Sequence, residues 1–335
     1  MVCEPSVAIV ACSDPATIHD ATPTPAMPEL PEVETMRRGL AGIVGRRIAT
    51  VEFPRSRVRP LSVEPRPRTL AGRIVGRTVA AVHRRGKRIA IELAPVASAG
   101  RLWLVIEPRM TGLMLVVAPP TEEHVRMRLL CADEGSATAG VRILFWDRRG
   151  LGTIRLFDDA ALDRACGPHK HGPDGLVVRG DDLAARLGGS RRAVKVALLD
   201  QRAVAGIGNI YAAEILFRCG IDPRTPCRRL GPGHWDRIAD ETRSVLAEAV
   251  DNEGSSIGDE TYRTADNRVG RFQQRHRVYG REGSRCTGCP TAIVRIVQAQ
   301  RATFFCPVCQ RRPTGRVAAR RPRGRPRLAS RPKTP

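Results

Sequence analysis

Lysine is almost absent. Four occur (Lys87, Lys170, Lys195 and Lys333), so nearly all of the 56 basic residues are arginine. That bias reads as codon usage, yet it makes each lysine in the body of the chain a candidate for a task arginine cannot perform. Long apolar runs are missing too, and none approaches the roughly 20 residues of a membrane span. Residues 1–26 carry Glu4, Asp14 and Asp20 and no base, so the positive start of a secretory signal is lacking. Residues 311–335 carry no acid.

The positive chemistry dominates. The chain has 335 residues, 42% of them hydrophobic, and a net charge of +22. That length predicts two or three domains with real cores, and the charge predicts a polyanionic partner, most simply nucleic acid. Ten bases fall in 311–335, but residues 27–310 still hold +15. The folded body is therefore basic in its own right.

The pattern along the chain predicts six segments: a leader (1–26), a β-sandwich domain (27–166), a hinge-like linker (167–180), a helical domain (181–280), a zinc ribbon (281–310) and a low-complexity basic tail (311–335). A helix is expected to open at Pro31 and to turn Val33, Met36 and Leu40 inward. Short strands follow from about 47 to 157, among them Arg88–Leu93, Leu113–Val117 and Val141–Trp146. Helices are expected at 181–187, 191–200, 209–218 and 235–250, with a polar loop at 254–270. The fold class is thus a multidomain α+β protein.

Three motifs carry chemistry. Cys286, Cys289, Cys306 and Cys309 form C-x2-C-x16-C-x2-C, the spacing of a ribbon holding one Zn2+. Four thiolates close the shell, so that zinc is structural. The other six cysteines show no such pattern and read as reduced thiols of a cytosolic protein. Gly206-Ile-Gly-Asn209 sets two glycines before a helix, with Asn209 as its expected cap and the free N–H groups behind it suited to a DNA phosphate. Met27-Pro-Glu-Leu-Pro-Glu-Val-Glu34 is either an acidic helix start or, in a protein beginning at Met27, a reactive terminus. Loss of Met27 would expose the secondary amine of Pro28, with a pKa of about 7.7–8.0 suited to attack on a sugar C1′, and Glu29 beside it as an acid.

Taken together, Pro28-Glu-Leu-Pro-Glu-Val-Glu34, Gly206-Ile-Gly-Asn-Ile-Tyr-Ala212, Val278-Tyr-Gly-Arg281 and a ribbon with Gln300-Arg-Ala-Thr-Phe304 resemble the bacterial formamidopyrimidine-DNA glycosylases, in order and across most of 27–310. The resemblance implies excision of oxidised purines such as 8-oxoguanine and formamidopyrimidines from double-stranded damaged DNA, followed by β,δ-elimination. It implies a β-sandwich, a helix–two-turn–helix domain and a zinc ribbon. It makes Pro28 the Schiff-base former, Glu29 the general acid and Lys87 an essential hairpin lysine. Asn209 and Arg301 become phosphate clamps, Met110 the wedge that fills the void of a flipped base, and Tyr211 a core residue. Arg149 takes the place of the arginine that reads the partner base. Leu151 replaces a stacking phenylalanine and Gly150 a second, phosphate-binding arginine, which puts opposite-base preference in question.

A retained leader would leave Pro28 an ordinary amide nitrogen, so the expectation is a true start at Met27, with removal after translation the alternative. Pro322-Arg-Gly-Arg-Pro326 in the tail is similar to an AT-hook, or is part of a nonspecific polycation. The protein is expected to be a monomer, without a membrane, in the cytoplasm and on the nucleoid through its DNA. Two rivals remain at this stage: a glycosylase preferring oxidised pyrimidines, and a catalytically silent damage-sensing or architectural DNA-binding protein.

Overall fold

Pro31 sits in the first turn of α1 (Leu30–Gly39), where its missing N–H costs nothing. Val33, Met36 and Leu40 lie on one buried stripe of that helix. The computed structural model describes residues 27–56, 59–97, 99–133, 140–258 and 261–313. The expectations for residues 1–26 and for the tail beyond residue 313 lie outside these.

Alternating apolar residues then build two sheets. Strands β1 (Arg47–Glu52), β2 (Ser62–Glu64), β3 (Val79–Arg85), β4 (Arg88–Leu93), β5 (Leu102–Glu107), β6 (Gly112–Leu115), β7 (Val125–Ala132), β8 (Gly140–Asp147) and β9 (Thr153–Phe157) follow in chain order. They pair as β1-β7-β8-β6 and β2-β9-β5-β4-β3. Every pairing is antiparallel except β2 with β9. Ile48, Leu129 and Phe145 of the first sheet share one core with Ile91, Leu104 and Ile154 of the second, as a sandwich requires.

Two helices are absent from the sequence pattern, one amid the strands and one just after them. Helix α2 (Pro67–Ile74) buries Leu70 and Ile74, one turn apart, and α3 (Asp159–Cys166) is capped by Asp158, whose carboxylate accepts from Ala161 N–H at 2.7 Å. Each shows only one or two buried apolar side chains, too few for a periodic signal.

Helices α4 (Gly180–Leu187), α5 (Val194–Leu198), α6 (Asn209–Cys219) and α7 (Pro232–Asp251) form the second half. The helix expected at 191–200 contracts to α5 because the chain before it pairs elsewhere: Val194 N–H bonds the Thr225 carbonyl, and Ala193 bridges to Pro226. No helix or strand occupies the described part of 254–270. The hairpin β10 (Val294–Gln298) and β11 (Arg301–Phe305) follows, its Phe304 packing with Phe217 of α6.

Helix α1 joins the halves. Val33 and Met36 belong to the sandwich core, while Leu30 is buried in the helical core with Ile207, Tyr211 and Leu246. Among the described residues, no helix is long and apolar enough to cross a membrane.

Candidate active site and nucleic-acid interface

The Pro28–Leu30 segment is laid onto the turn before α6. Leu30 N–H bonds the Gly206 carbonyl at 3.0 Å. The Glu29 carboxylate accepts from Gly208 N–H at 2.6 Å and from Ile210 N–H at 2.9 Å. Both glycines are required by this approach. A Cβ on Gly208 would come within 2.3 Å of the Glu29 carboxyl carbon, and one on Gly206 (φ +102°) within 2.5 Å of Leu30 Cδ1. At this helix the structure differs from the sequence expectation: Gly208, not Asn209, is the N-cap, and two of the N–H groups expected to meet a DNA phosphate are taken by Glu29. A buried carboxylate from the same chain satisfies those two donors and meets the helix dipole in place of an external anion.

Glu29 is 2% exposed. Burial pushes its pKa up to about 7, with the nearby Lys87 ammonium opposing the rise. Two backbone hydrogen bonds hold the carboxylate but do not offset the loss of water. Pro28, also buried, faces a cleft lined by Glu32, Ile210, Ser255 and Tyr262. Lys87 stands in the β3–β4 turn, whose Gly86 (φ +59°) approaches Ala205. Burial lowers the pKa of Lys87, while the Glu29 carboxylate raises it and Arg301 adds to the lowering.

Beneath Pro28 runs a polar network that the sequence does not reveal. Glu32 accepts from Glu29 N–H (2.9 Å), Tyr211 O–H (2.5 Å) and Ser255 N–H (2.7 Å). Ser255 Oγ continues to His276 Nε2 at 3.0 Å. Tyr211 is fully buried, as expected of a core residue, but its hydroxyl belongs to this network. Burial raises the Glu32 pKa and lowers that of His276 to about 4.

Lys195 is the second residue missed, and its rarity as a lysine is the only sequence signal for it. It is 1% exposed. Its Nζ donates to Asn209 Oδ1 (2.6 Å), Thr303 Oγ1 (2.7 Å) and the Ala302 carbonyl (3.0 Å). Three acceptors match the three N–H bonds of an ammonium, although burial pulls the pKa down to about 7. Asn209 Nδ2 also donates to the Ala302 carbonyl at 3.0 Å. Lys195 thus ties the start of α6 to the β10–β11 hairpin, which leaves the adjoining Arg301 exposed.

Met110, Arg149 and Leu151 form a second group. Met110 lies in the β5–β6 turn, half-buried, and Arg149 is exposed. The buried Asp147 carboxylate joins their two loops. It accepts from Thr111 Oγ1 at 2.5 Å, from Arg149 N–H at 3.2 Å and from Gly152 N–H at 2.8 Å. Gly150 (φ +61°) packs under Arg59, whose carbonyl oxygen would lie 2.5 Å from a Cβ.

The thiols of Cys286, Cys289, Cys306 and Cys309 all lie within 4.8 Å of one another. The Cys286–Cys309 and Cys289–Cys306 sulfurs are 3.9 and 3.5 Å apart. A tetrahedron of Zn–S bonds near 2.3 Å sets sulfurs roughly 3.8 Å apart, so the four fit such an ion. Backbone N–H groups of Gly288 and Cys309 point at Cys286 Sγ and Cys306 Sγ, as thiolate acceptors favour.

Residues 27–154 match the family model described as the formamidopyrimidine-DNA glycosylase N-terminal domain, and residues 172–261 match that of the H2TH domain. The chain is similar to the formamidopyrimidine-DNA glycosylase of Cereibacter sphaeroides, 40% identical over 305 residues, covering 85% of this chain and 100% of that relative. It is similar to that of Chloroflexus aggregans, 41% identical over 301 residues, with 85% and 98% covered. Among solved structures, MutM (Fpg) from Thermus thermophilus is 36% identical with a TM-score of 0.71, covering 84% of this chain and 98% of the other. A Lactococcus lactis Fpg variant in complex with Fapy-dG-containing DNA is 30% identical with a TM-score of 0.72, covering 85% and 100%.

Proposed function

The chain belongs to the formamidopyrimidine-DNA glycosylase family, and from that premise we propose how its own residues carry out the reaction. It is a base-excision-repair DNA glycosylase with lyase activity. Its substrates are oxidised purines, 8-oxoguanine and formamidopyrimidines, in duplex DNA.

With its amine free, Pro28 attacks C1′ of the damaged nucleotide. The N–C1′ bond forms as the base leaves with the proton that the Pro28 nitrogen gives up, and opening of the sugar ring gives an iminium. Glu29 supplies the proton to the ring oxygen. The carboxylate then takes a proton from C2′, so that the 3′-phosphate is eliminated, and a second elimination releases the 5′-phosphate. One observation carries this reading: a buried carboxyl beside Pro28, fixed by two backbone N–H groups, whose pKa burial pushes up to about 7. A group poised there serves as acid in one step and base in the next.

Lys87, Asn209 and Arg301 hold phosphates around the reacting sugar. Met110 fills the place of the flipped base, Arg149 meets its partner, and Leu151 wedges the neighbouring step. The four cysteines would hold one zinc; with all four ligands supplied by the chain, its part would be to fix the hairpin that carries Arg301 and not to enter the chemistry. The functional units are a catalytic domain at 27–166, a linker at 167–180, a helix–two-turn–helix domain at 181–280 and the ribbon at 281–310.

Borohydride trapping on an 8-oxoguanine·C duplex tests the nucleophile, with protein begun at Met1 compared with protein begun at Met27. The expected result is a covalent adduct on Pro28, found by mass spectrometry only where that amine is free. Binding without adduct or cleavage by protein with a verified free Pro28 overturns this chemistry.

A further inference from the structure

Next to Met110 stands an arginine in a costly conformation. Arg109 has φ +56°, in the left-handed region where glycine is at home and a long side chain without local hydrogen bonds is not. Such outliers persist where the surroundings hold them, and they cluster at ligand-contacting sites. The turn is closed by Gly112 N–H on the Pro108 carbonyl at 2.9 Å, and the Arg109 side chain pairs with Glu107. One carboxylate oxygen pairs with Arg109 Nε at 3.0 Å and the other with Arg88 Nε at 3.0 Å.

One acid between two guanidinium groups leaves a net positive charge. The Arg109 side chain is 50% exposed, the Glu107 side chain 18%. Among the described residues, the terminal nitrogens of Arg109 have no hydrogen bond. Arg88 directly follows Lys87, and the Glu107 carboxylate is close enough to act on the Lys87 ammonium. Arg109 therefore borders the same charged cluster as Lys87.

The neighbouring loop supplies a reason for a cation here. Thr111, two residues on, bonds both Asp147 and Arg149 N–H, at 2.5 and 3.0 Å. The Met110 turn and the 148–152 loop are thereby fixed to each other. That loop has Gly150 where the family resemblance leads one to expect a phosphate-binding arginine, and Arg59 leaves no room for a side chain.

We propose that Arg109 is a DNA-phosphate contact beside the Met110 wedge, supplying from the adjoining turn the cation that Gly150 lacks. This rests on the glycosylase reading above. Glu107 aims the guanidinium, and the backbone bears the conformational cost.

The test uses the full chain and a duplex carrying a tetrahydrofuran abasic analogue, which needs no reactive amine to bind. Affinity would be measured between about 50 and 200 mM salt, with melting temperature recorded for each variant. Arg109→Gly is expected to melt higher, since it relieves the left-handed backbone, and yet to bind several-fold more weakly. Its log–log salt slope should be shallower by about 0.9, the signature of one lost phosphate. Arg109→Lys should restore most of the slope, and Glu107→Gln should leave the slope unchanged. An unchanged affinity and slope in Arg109→Gly overturns the proposal. So does a Glu107→Gln variant as weak as Arg109→Gly, which would make the ion pair structural. Failure of the unaltered chain to bind the duplex overturns this proposal and the glycosylase reading together, whereas failure of borohydride trapping alone touches only the latter.

Discussion

Removing water from around one carboxyl changes what it can do. In solution Glu29 would be ionised throughout the neutral range, whereas at a pKa of about 7 it can still donate a proton there. Excision is therefore expected to slow as pH rises through about 7. Glu29→Gln should lose roughly 10²–10⁴-fold in single-turnover rate while still binding an abasic analogue. The same shift affects stability. The folded pKa lies above the free value of 4.5, so stability present below about pH 4.5 is lost as pH rises to about 7, a loss of order 3 kcal/mol. Melting of the wild type against Glu29→Gln across that window reads it directly. Lys195→Met strands the acceptors on Asn209 and Thr303, and should lower stability by about 2 kcal/mol or more in urea titration, with weaker DNA binding. At this scale the sequence shows neighbours that are contiguous, as Pro28 and Glu29 are. It is silent where partners lie far apart: Glu32 meets Tyr211 and Ser255 across 179 and 223 residues.

Among the elements, those with a strong period are the ones readable in advance. Strand β4 (Arg88–Leu93) has its expected limits, and α7 extends the expected helix by three residues at its start and one at its end. Helices α2 and α3 escape notice because each turns only a few side chains inward, and α5 is shortened by contacts that no local pattern encodes. The glycine pair before α6 is visible in sequence, but its purpose is not. It admits the Pro28–Leu30 segment, where local rules suggest an external anion. The β10–β11 hairpin raises a different issue, since Ala299 (φ +47°) and Gln300 (φ +61°) both occupy the left-handed region of a two-residue turn. Gln300→Gly should stabilise the ribbon by about 1 kcal/mol, observable as slower amide exchange in β10 and β11.

Across the whole molecule the dominant quantity is charge. The net +22 makes DNA affinity fall steeply with salt, because each phosphate neutralised releases counterions. Deleting residues 311–335, with their ten bases, should flatten the salt slope while leaving the trapped adduct at Pro28 unchanged. Binding isotherms on undamaged duplex at several salt concentrations would show it, and coincident slopes would mean that the tail does not touch DNA. Ion pairs also join the halves of the body: Arg84 of β3 binds Glu34 of α1 and Asp174 of the segment leading to α4.

The seat of the Glu29 carboxyl is assembled from distant parts of the chain. Glu29 stands at the start of α1, the two N–H groups that seat it stand at the start of α6, and Leu30 beside it is buried in the helical core. Parting them by a few ångströms would return the carboxyl to water and its ordinary acidity. Any loosening of that seat would therefore lower the pH at which Glu29 gives up its proton.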